Sequence, residues 1–305
     1  MTAEIGLGTW PLGGNAYGPV PVNTARAVLR AALDGGIRLI DTAGIYGDGT
    51  VETLIGDDTE VSGQCRVISK AGYLTEAGRQ QCFEAGFLRE SLKASLRRLK
   101  RERLEVLLLH SPPADLLAAG WIEDVLVGLV AEGLIEGYGV SLAHVDDYHA
   151  LMAWRGQLWI EVIYNLLDQR AAENGLLKTA RARGWQVIAR LPLASGFLTG
   201  SHTRDSTFAA PDCRARWSRE QIVAWIDAAD RFRFLATPER SAVQAAIAFC
   251  KSTPSVTAVI PGAKSVAQLS EFLALQDTRL DLEAHEYRAA RAIWTEISWV
   301  VPGSR

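Results

Sequence analysis

The sequence predicts an α/β fold, a (β/α)8 TIM barrel with an extra C-terminal helix, on three observations. Short, mostly apolar runs alternate with segments of helical spacing eight times along the chain. Some of these runs, such as residues 104–109, are apolar almost throughout, as expected of strands covered on both faces. At 305 residues the chain is long for one sandwich or doubly wound sheet but suits one closed barrel, so a single domain over residues 1–305 is expected.

The units follow in order. A strand at residues 5–7 runs into a glycine-rich turn, and residues 23–34 have helical spacing (Ala27, Val28, Ala31, Ala32) stopped by Gly35 and Gly36. The second strand, 37–41, ends at Asp41, and a short helix covers 50–55. Strand 66–70 is followed by helix 83–99, which puts Phe87, Leu88, Leu92, Leu96 and Leu99 on one face. Strand 104–109 ends at His110, then come helix 121–132, strand 135–141, helix 145–154, strand 158–164, helix 173–183 with Gly184 as its stop, and strand 186–191. Residues 194 to about 240 form an insertion with its own helix at 220–234. Helix 242–250, strand 256–260 and helix 266–275 complete the eight units, and 282–297 is the extra helix.

A doubly wound dinucleotide fold is disfavoured. Gly6-x-Gly8 is followed next by Gly13, Trp10-Pro11 fills the space, and no acidic residue closes the following strand at the required distance. With 48% apolar and 22% charged residues and no membrane-length apolar run, a soluble protein without a membrane role is expected. The start carries neither a basic region nor a long apolar core, which points to a cytoplasmic location. A net charge of −3 without a dense basic block argues against nucleic acid. Arg97, Arg98, Lys100, Arg101 and Arg103 read as the solvated end of a helix. Cys65, Cys82, Cys213 and Cys250 are far apart with no metal-ligand spacing, so neither a disulfide framework nor a metal site is predicted.

In such a barrel, Asp41, Lys70 and His110 end three consecutive strands, and Tyr46 lies in the loop beyond the first, so all four share one mouth. Tyrosine is a poor acid at neutral pH; a nearby ammonium lowers its pKa, and a carboxylate keeps that ammonium charged and placed. A neutral imidazole beside the phenol holds a carbonyl oxygen. The set is a proton donor for a carbonyl, worth about 10²- to 10⁴-fold.

With these residues the chain resembles an aldo-keto reductase, in GLGTW (from Gly6), DTAGIYG (from Asp41), VISK ending at Lys70, LLLHSP with His110, GVS ending at Ser141, YNLLDQR (from Tyr164), PLASGFLTG (from Pro192) and IPGAK (from Ile260). The resemblance implies reduction of an aldehyde or ketone, with Tyr46 as general acid, Lys70 and Asp41 tuning it, His110 orienting the carbonyl, and no metal. It implies NADPH, with NADH second, bound across the barrel mouth. Thr9 and Trp10 would lie beside the nicotinamide, Ser141 and Glu161 at its carboxamide, Leu193, Ser195, Gly196 and Leu198 along the pyrophosphate, and Lys264 with Gln268 near the adenosine and its 2'-phosphate. Asp41, Arg190, Leu191, Pro192 and Gly262 complete the cofactor set.

Four positions depart from the family pattern: Leu142, Glu161, Arg190 and Phe272 stand where Asn, Gln, a ring-stacking Tyr and an adenine-contacting Asn are usual. A Glu161–Arg190 ion pair beneath the nicotinamide is one expectation; an Arg190 turned to solvent or pyrophosphate is the other. Residues 111–120 and 197–240 are the expected specificity loops, with Trp10, Tyr73 and Trp217 as candidate aromatic walls. Little chain precedes the first strand to plug the barrel bottom, which assigns that seal to the C-terminal helix. A cofactor-binding regulatory protein, like the β subunits of potassium channels, is the alternative function. The substrate's identity and the oligomeric state are not legible.

Overall fold

All the strands run parallel, and the first one closes the sheet on itself. The computed structural model describes residues 3–74, 80–276 and 278–297. Its strands are β1 (Glu4–Ile5), β2 (Leu7–Gly8), β3 (Leu39–Asp41), β4 (Arg66–Ala71), β5 (Leu104–His110), β6 (Ile135–Ser141), β7 (Leu158–Ile163), β8 (Gln186–Arg190) and β9 (Ala258–Ile260). The sheet order is β1-β9-β8-β7-β6-β5-β4-β3-β2. Both ends of that order belong to one extended run divided at Gly6: Glu4 and Ile5 register with Ala258 and Val259, and Leu7 and Gly8 with Ile40 and Asp41. The expected opening strand is therefore two short segments. A Cβ at Gly6 would meet the Leu39 carbonyl oxygen at 2.9 Å, so a side chain there would obstruct the crossing.

The period of two along each strand sorts its side chains. Leu39, Ile68, Val106, Leu108, Ile188, Ala258 and Ile260 fill the barrel, with Trp159 against them. The alternate residues, such as Val67, Leu107, Leu109 and Val140, belong to the larger core under the helices.

The helices are α1 (Val22–Asp34), α2 (Thr50–Asp57), α3 (Thr59–Gln64), α4 (Ala85–Leu99), α5 (Ala114–Ala118), α6 (Trp121–Ala131), α7 (Arg170–Glu173), α8 (Leu176–Arg183), α9 (Arg219–Asp230), α10 (Ala242–Lys251), α11 (Val266–Leu273) and α12 (Ala284–Ile297). On α4 the expected stripe is buried at Leu88, Leu92, Leu96 and Leu99, each contributing about 1.5–3 kcal/mol; Phe87 is only half-buried.

Several expectations are corrected. Residues Val145–Ala153 form a 3-10 helix, with a capping box between His144 and Asp147 tightening its first turn. The helix expected over 173–183 starts only at Leu176, after the separate turn of α7, because Gly175 takes a left-handed φ of 94° and the Asn174 side chain accepts from the Leu176 N–H. The insertion helix ends at Asp230 and gives way to a 3-10 turn, Arg233–Leu235. The basic end of α4 is only partly solvated. Arg98 turns inward to the buried Glu52 at 2.7 Å, and Arg101 pairs with Glu105 at 2.8 Å.

The barrel bottom is filled from inside. Trp159 enters from the start of β7, and β6 leaves its ring room at Gly137, where a Cβ would lie 3.2 Å from the indole Nε1; at Gly139 the β7 backbone itself comes so near that a Cβ would lie 1.7 Å from the Trp159 carbonyl oxygen. α12, assigned that role from the sequence, lies on the flank instead. Its Glu286 pairs with Arg240, Tyr287 meets Thr253 Oγ1 at 3.2 Å, and Arg291 donates to Gln169 at 2.7 Å.

Candidate active site

Five side chains at the barrel mouth follow from strand periodicity. Asp41, Lys70, His110, Glu161 and Arg190 each stand two residues beyond a barrel-filling residue: Leu39, Ile68, Leu108, Trp159 and Ile188. Ser141, two beyond Gly139, joins them from β6. Tyr46 enters from the turn after β3, where Asp48 and Gly49 adopt left-handed φ of 50° and 86°. Arg98 lies under that turn, so near that a Cβ on Gly49 would sit 2.7 Å from its Cδ. Glu52, which holds Arg98, also accepts from Ser69 Oγ at 2.6 Å, tying the turn to β4.

The Lys70 ammonium is the hub. It donates to Asp41 Oδ1 and Oδ2 at 2.6 and 2.5 Å, to the Thr42 carbonyl at 3.1 Å and to Tyr46 Oη at 3.4 Å, and stands 3.3 Å from Glu161 Oε2. Glu161 Oε1 accepts from Ser141 Oγ at 2.8 Å and lies 3.7 Å from Arg190 Nε. The ion pair expected between Glu161 and Arg190 is present. The guanidinium also donates to the Leu142 carbonyl at 3.0 Å, so it is not simply turned out to solvent.

The electrostatics of the cluster differ from the sequence expectation. Burial pushes the Tyr46 phenol well above its ordinary value, and the Lys70 ammonium offsets this only in part, so the net shift is opposite to the lowering that the charge pairing alone predicts. The desolvation of a largely buried ring outweighs one ammonium whose field is opposed by the carboxylates beside it. Lys70 itself is held charged: burial disfavours its ammonium, but Asp41 and then Glu161 overcome that. Burial and the neighbouring Glu161 charge push Asp41 up, whereas Glu161 resists its own burial because Lys70 and Arg190 favour its charge.

A cleft of about 630 Å³ opens over this cluster. It runs from Tyr46 and His110, whose rings meet edge-on at 6.1 Å, past Trp10 to Leu191, Pro192, Leu193, Ser195 and Gly196, and ends at Gly262, Lys264 and Gln268. Leu191, Ala194 and Ser195 take left-handed φ of 53°, 47° and 56°, bending the chain after β8 along the cleft wall. Thr9, Ser141, Leu198 and Lys70, also expected here, lie behind the wall. Thr9 is buried and donates from Oγ1 to the Asp41 carbonyl at 2.8 Å; Ser141 and Lys70 act through Glu161 and Tyr46; Leu198 is buried beneath its turn. Phe272 lines the far end with Glu271.

Sequence reasoning missed a bridge over the middle of the cleft. Tyr17 Oη donates to Ser195 Oγ at 3.3 Å, and the Tyr17 carbonyl accepts from the Lys264 ammonium. Arg214, from the insertion, lies 5.0 Å from the Tyr17 ring centroid and donates to the Ser195 carbonyl at 3.1 Å. Burial pushes the Tyr17 phenol up to about 12. No spacing rule joins residues so far apart in sequence. Of the aromatic walls, Trp10 and Tyr73 line the cleft, with the Tyr73 ring 4.9 Å from that of His110. Trp217 instead packs on Trp225 at 4.4 Å and Phe197 at 5.9 Å.

Two buried polar atoms in the cluster make no well-aligned hydrogen bond: Glu161 Oε2, an acceptor with the Lys70 ammonium 3.3 Å away, and Arg190 Nε, a donor. Both residues line the cleft, and such a pair suits a ligand amide. An elongated channel with this pair at one end and a lysine at the other fits a dinucleotide. Among the described residues, no group of three or more His, Cys, Asp or Glu is placed to hold a metal ion.

The model of the aldo/keto reductase family matches residues 4–293. The chain belongs to that family. As an aldo-keto reductase it is an NAD(P)H-dependent oxidoreductase. It is 27% identical over 297 residues to the NADH-specific methylglyoxal reductase of Escherichia coli, covering 91% of each chain. It is 25% identical to a probable voltage-gated potassium channel subunit beta of Oryza sativa, over 88% of this chain and 86% of that one. Among solved structures, an aldo/keto reductase from Klebsiella pneumoniae in complex with NADP and acetate superposes with a TM-score of 0.69 at 27% identity, over 95% of this chain and 90% of that one.

Proposed function

We propose that this aldo-keto reductase reduces an aldehyde or ketone to an alcohol, with NADPH favoured over NADH and Tyr46 as the proton donor. The observation that carries the reading is the Tyr46 hydroxyl at the cleft mouth, 3.4 Å from an ammonium that is itself bonded to Asp41. A reduced nicotinamide held in the cleft would supply the hydride. Tyr46 holds its proton at neutral pH, because burial raises its pKa, and gives it to the carbonyl oxygen as that oxygen gains charge. Lys70 stabilises the phenolate left behind, and Asp41 holds the ammonium on its side of the ring. His110, beside Tyr46 and Tyr73, steers the substrate oxygen toward the phenol.

The carboxamide would be held by Glu161 and Arg190, with Ser141 fixing the carboxylate from behind and Thr9 fixing the end of β3. Residues 191–196 would follow the pyrophosphate, and Gly262, Lys264 and Gln268 the adenosine end. The preference for NADPH is supported by the Lys264 cation there and by the NADP-bound Klebsiella structure, while the NADH-specific relative supports the other cofactor. The reading includes a small-molecule substrate, no metal and a cytoplasmic location; no described helix is long and apolar enough to cross a membrane.

The channel-subunit relative supports a second reading, a cofactor-binding regulatory protein with little turnover. Oxidation of NADPH with a panel of aldehydes, ketones and keto-sugars, run beside Tyr46→Phe, separates the two. Turnover lost in the variant with cofactor binding kept supports the reductase. Tight cofactor binding without turnover on any carbonyl supports the regulatory protein.

A further inference from the structure

The charge cluster beneath Tyr46 contains one carboxylate more than a Tyr-Lys-Asp set needs. Tyr46 is faced by Asp41 from β3, Lys70 from β4, His110 from β5, Glu161 from β7 and Arg190 from β8. Lys70 stands within 3.3 Å of both Asp41 and Glu161, and Glu161 is pinned by Ser141 at 2.8 Å and backed by Arg190 at 3.7 Å. The carboxylates and Lys70 are almost wholly shielded from water, at 4%, 2% and 0% side-chain exposure, so their fields are weakly screened. The four charges alternate in sign, Asp41, Lys70, Glu161, Arg190, and sum to zero when all are ionised.

We propose that Glu161 is a positioning residue for the proton donor: its carboxylate shares the Lys70 ammonium with Asp41 and thereby sets how much of that ammonium's field reaches Tyr46. The inference rests on the reading of Tyr46 as donor. It explains why Glu161 and Arg190 depart from the family pattern together. A carboxylate there drains the ammonium's field from the phenol, and the guanidinium of Arg190 offsets part of that drain. Asp41 at 2.5 Å and Glu161 at 3.3 Å both oppose the Lys70 ammonium, so removing either carboxylate frees part of its field. The result is a tyrosine biased to keep its proton, which favours donation, and so reduction, over abstraction.

The test uses charge arithmetic that a packing role does not reproduce. Glu161→Gln leaves one net positive charge beside the phenol, Arg190→Gln one net negative charge, and the double variant returns the sum to zero. The readout that needs no cofactor is phenolate absorbance, titrated to about pH 11.5 with each protein subtracted from its Tyr46→Phe counterpart. Near-ultraviolet circular dichroism checks the fold. Glu161→Gln is expected to raise the Tyr46 phenolate fraction about tenfold, a shift of about one pH unit. Arg190→Gln gives no rise, and the double variant falls back toward the parent. No rise in Glu161→Gln, or a double variant as high as the single, overturns the proposal. Reductase rates at saturating NADPH supply a second measure: the alkaline fall of Glu161→Gln moves to lower pH and that of the double variant does not. If Tyr46→Phe itself keeps full turnover, the donor reading fails, and the titration still reports on the cluster.

Discussion

Replacing Lys70 by methionine removes the ammonium that lies between two buried carboxylates. In the parent that ammonium lies 2.5 Å from Asp41 and 3.3 Å from Glu161, and its loss takes the cation from Asp41 and leaves Glu161 with Ser141 and with Arg190 at 3.7 Å. Breaking a buried pair by removing one partner costs about 3–5 kcal/mol while the remaining charge stays ionised. The variant has a cheaper route, which is to bind a proton. Its folded carboxyl pKa then lies above the unfolded value. Stability from such a group is full below the unfolded pKa and is lost as pH rises through the folded pKa. The deficit of Lys70→Met is therefore largest at alkaline pH and shrinks by about 1.4 kcal/mol per pH unit for one proton taken up. Between about pH 8 and about pH 5.5 it should recover about 3 kcal/mol. Urea unfolding of parent and variant at both values measures this. A deficit below about 1 kcal/mol at the higher pH, or one equal at both, refutes the description of Lys70 as the hub of a buried ionised cluster.

Gly139→Ala puts a Cβ 1.7 Å from the Trp159 carbonyl oxygen, a backbone atom that cannot step aside, and should cost about 3 kcal/mol or more by denaturant midpoint; a cost under about 1 kcal/mol would mean that β6 and β7 are not so closely paired. Arg98→Ala strands the fully buried Glu52 with Ser69 alone and should lower stability by about 3 kcal/mol and turnover with it, because the Tyr46 turn rests on that guanidinium. Lys264→Ala should weaken NADPH binding about tenfold and leave NADH binding unchanged, the difference being one charge-assisted contact to a 2'-phosphate. Equal loss for both cofactors, measured by fluorescence titration, would assign Lys264 to the Tyr17 bridge alone.

Much of this was legible in the sequence because strand periodicity is strict. Asp41, Lys70 and His110 each end an apolar run, and a period of two carries them to one rim with Glu161 and Arg190. The family motifs named the same positions. What the sequence did not give follows from contacts between distant residues. Trp159 fits in the barrel bottom because Gly137 on the neighbouring strand leaves its ring room, a pairing visible only once β6 and β7 are in register. Arg98 looks like one cation among five on a helix end, and only the fold shows which of them faces Glu52. Tyr17 and Arg214 meet over the cleft from loops separated by most of the barrel. The Tyr46 pKa was misjudged for a related reason: the charge pairing was readable, but the burial that outweighs it depends on the whole mouth.

The most direct test of the central claim is hydride transfer itself. NADPH carrying deuterium at the transferable position is incubated with the protein and a reactive aldehyde, and the alcohol is examined by mass spectrometry. The proposed function predicts deuterium on the carbinol carbon with the parent protein and almost none with Tyr46→Phe. NADPH that binds tightly yet leaves no deuterium in any alcohol would contradict it and make the cleft a sensor of the cofactor.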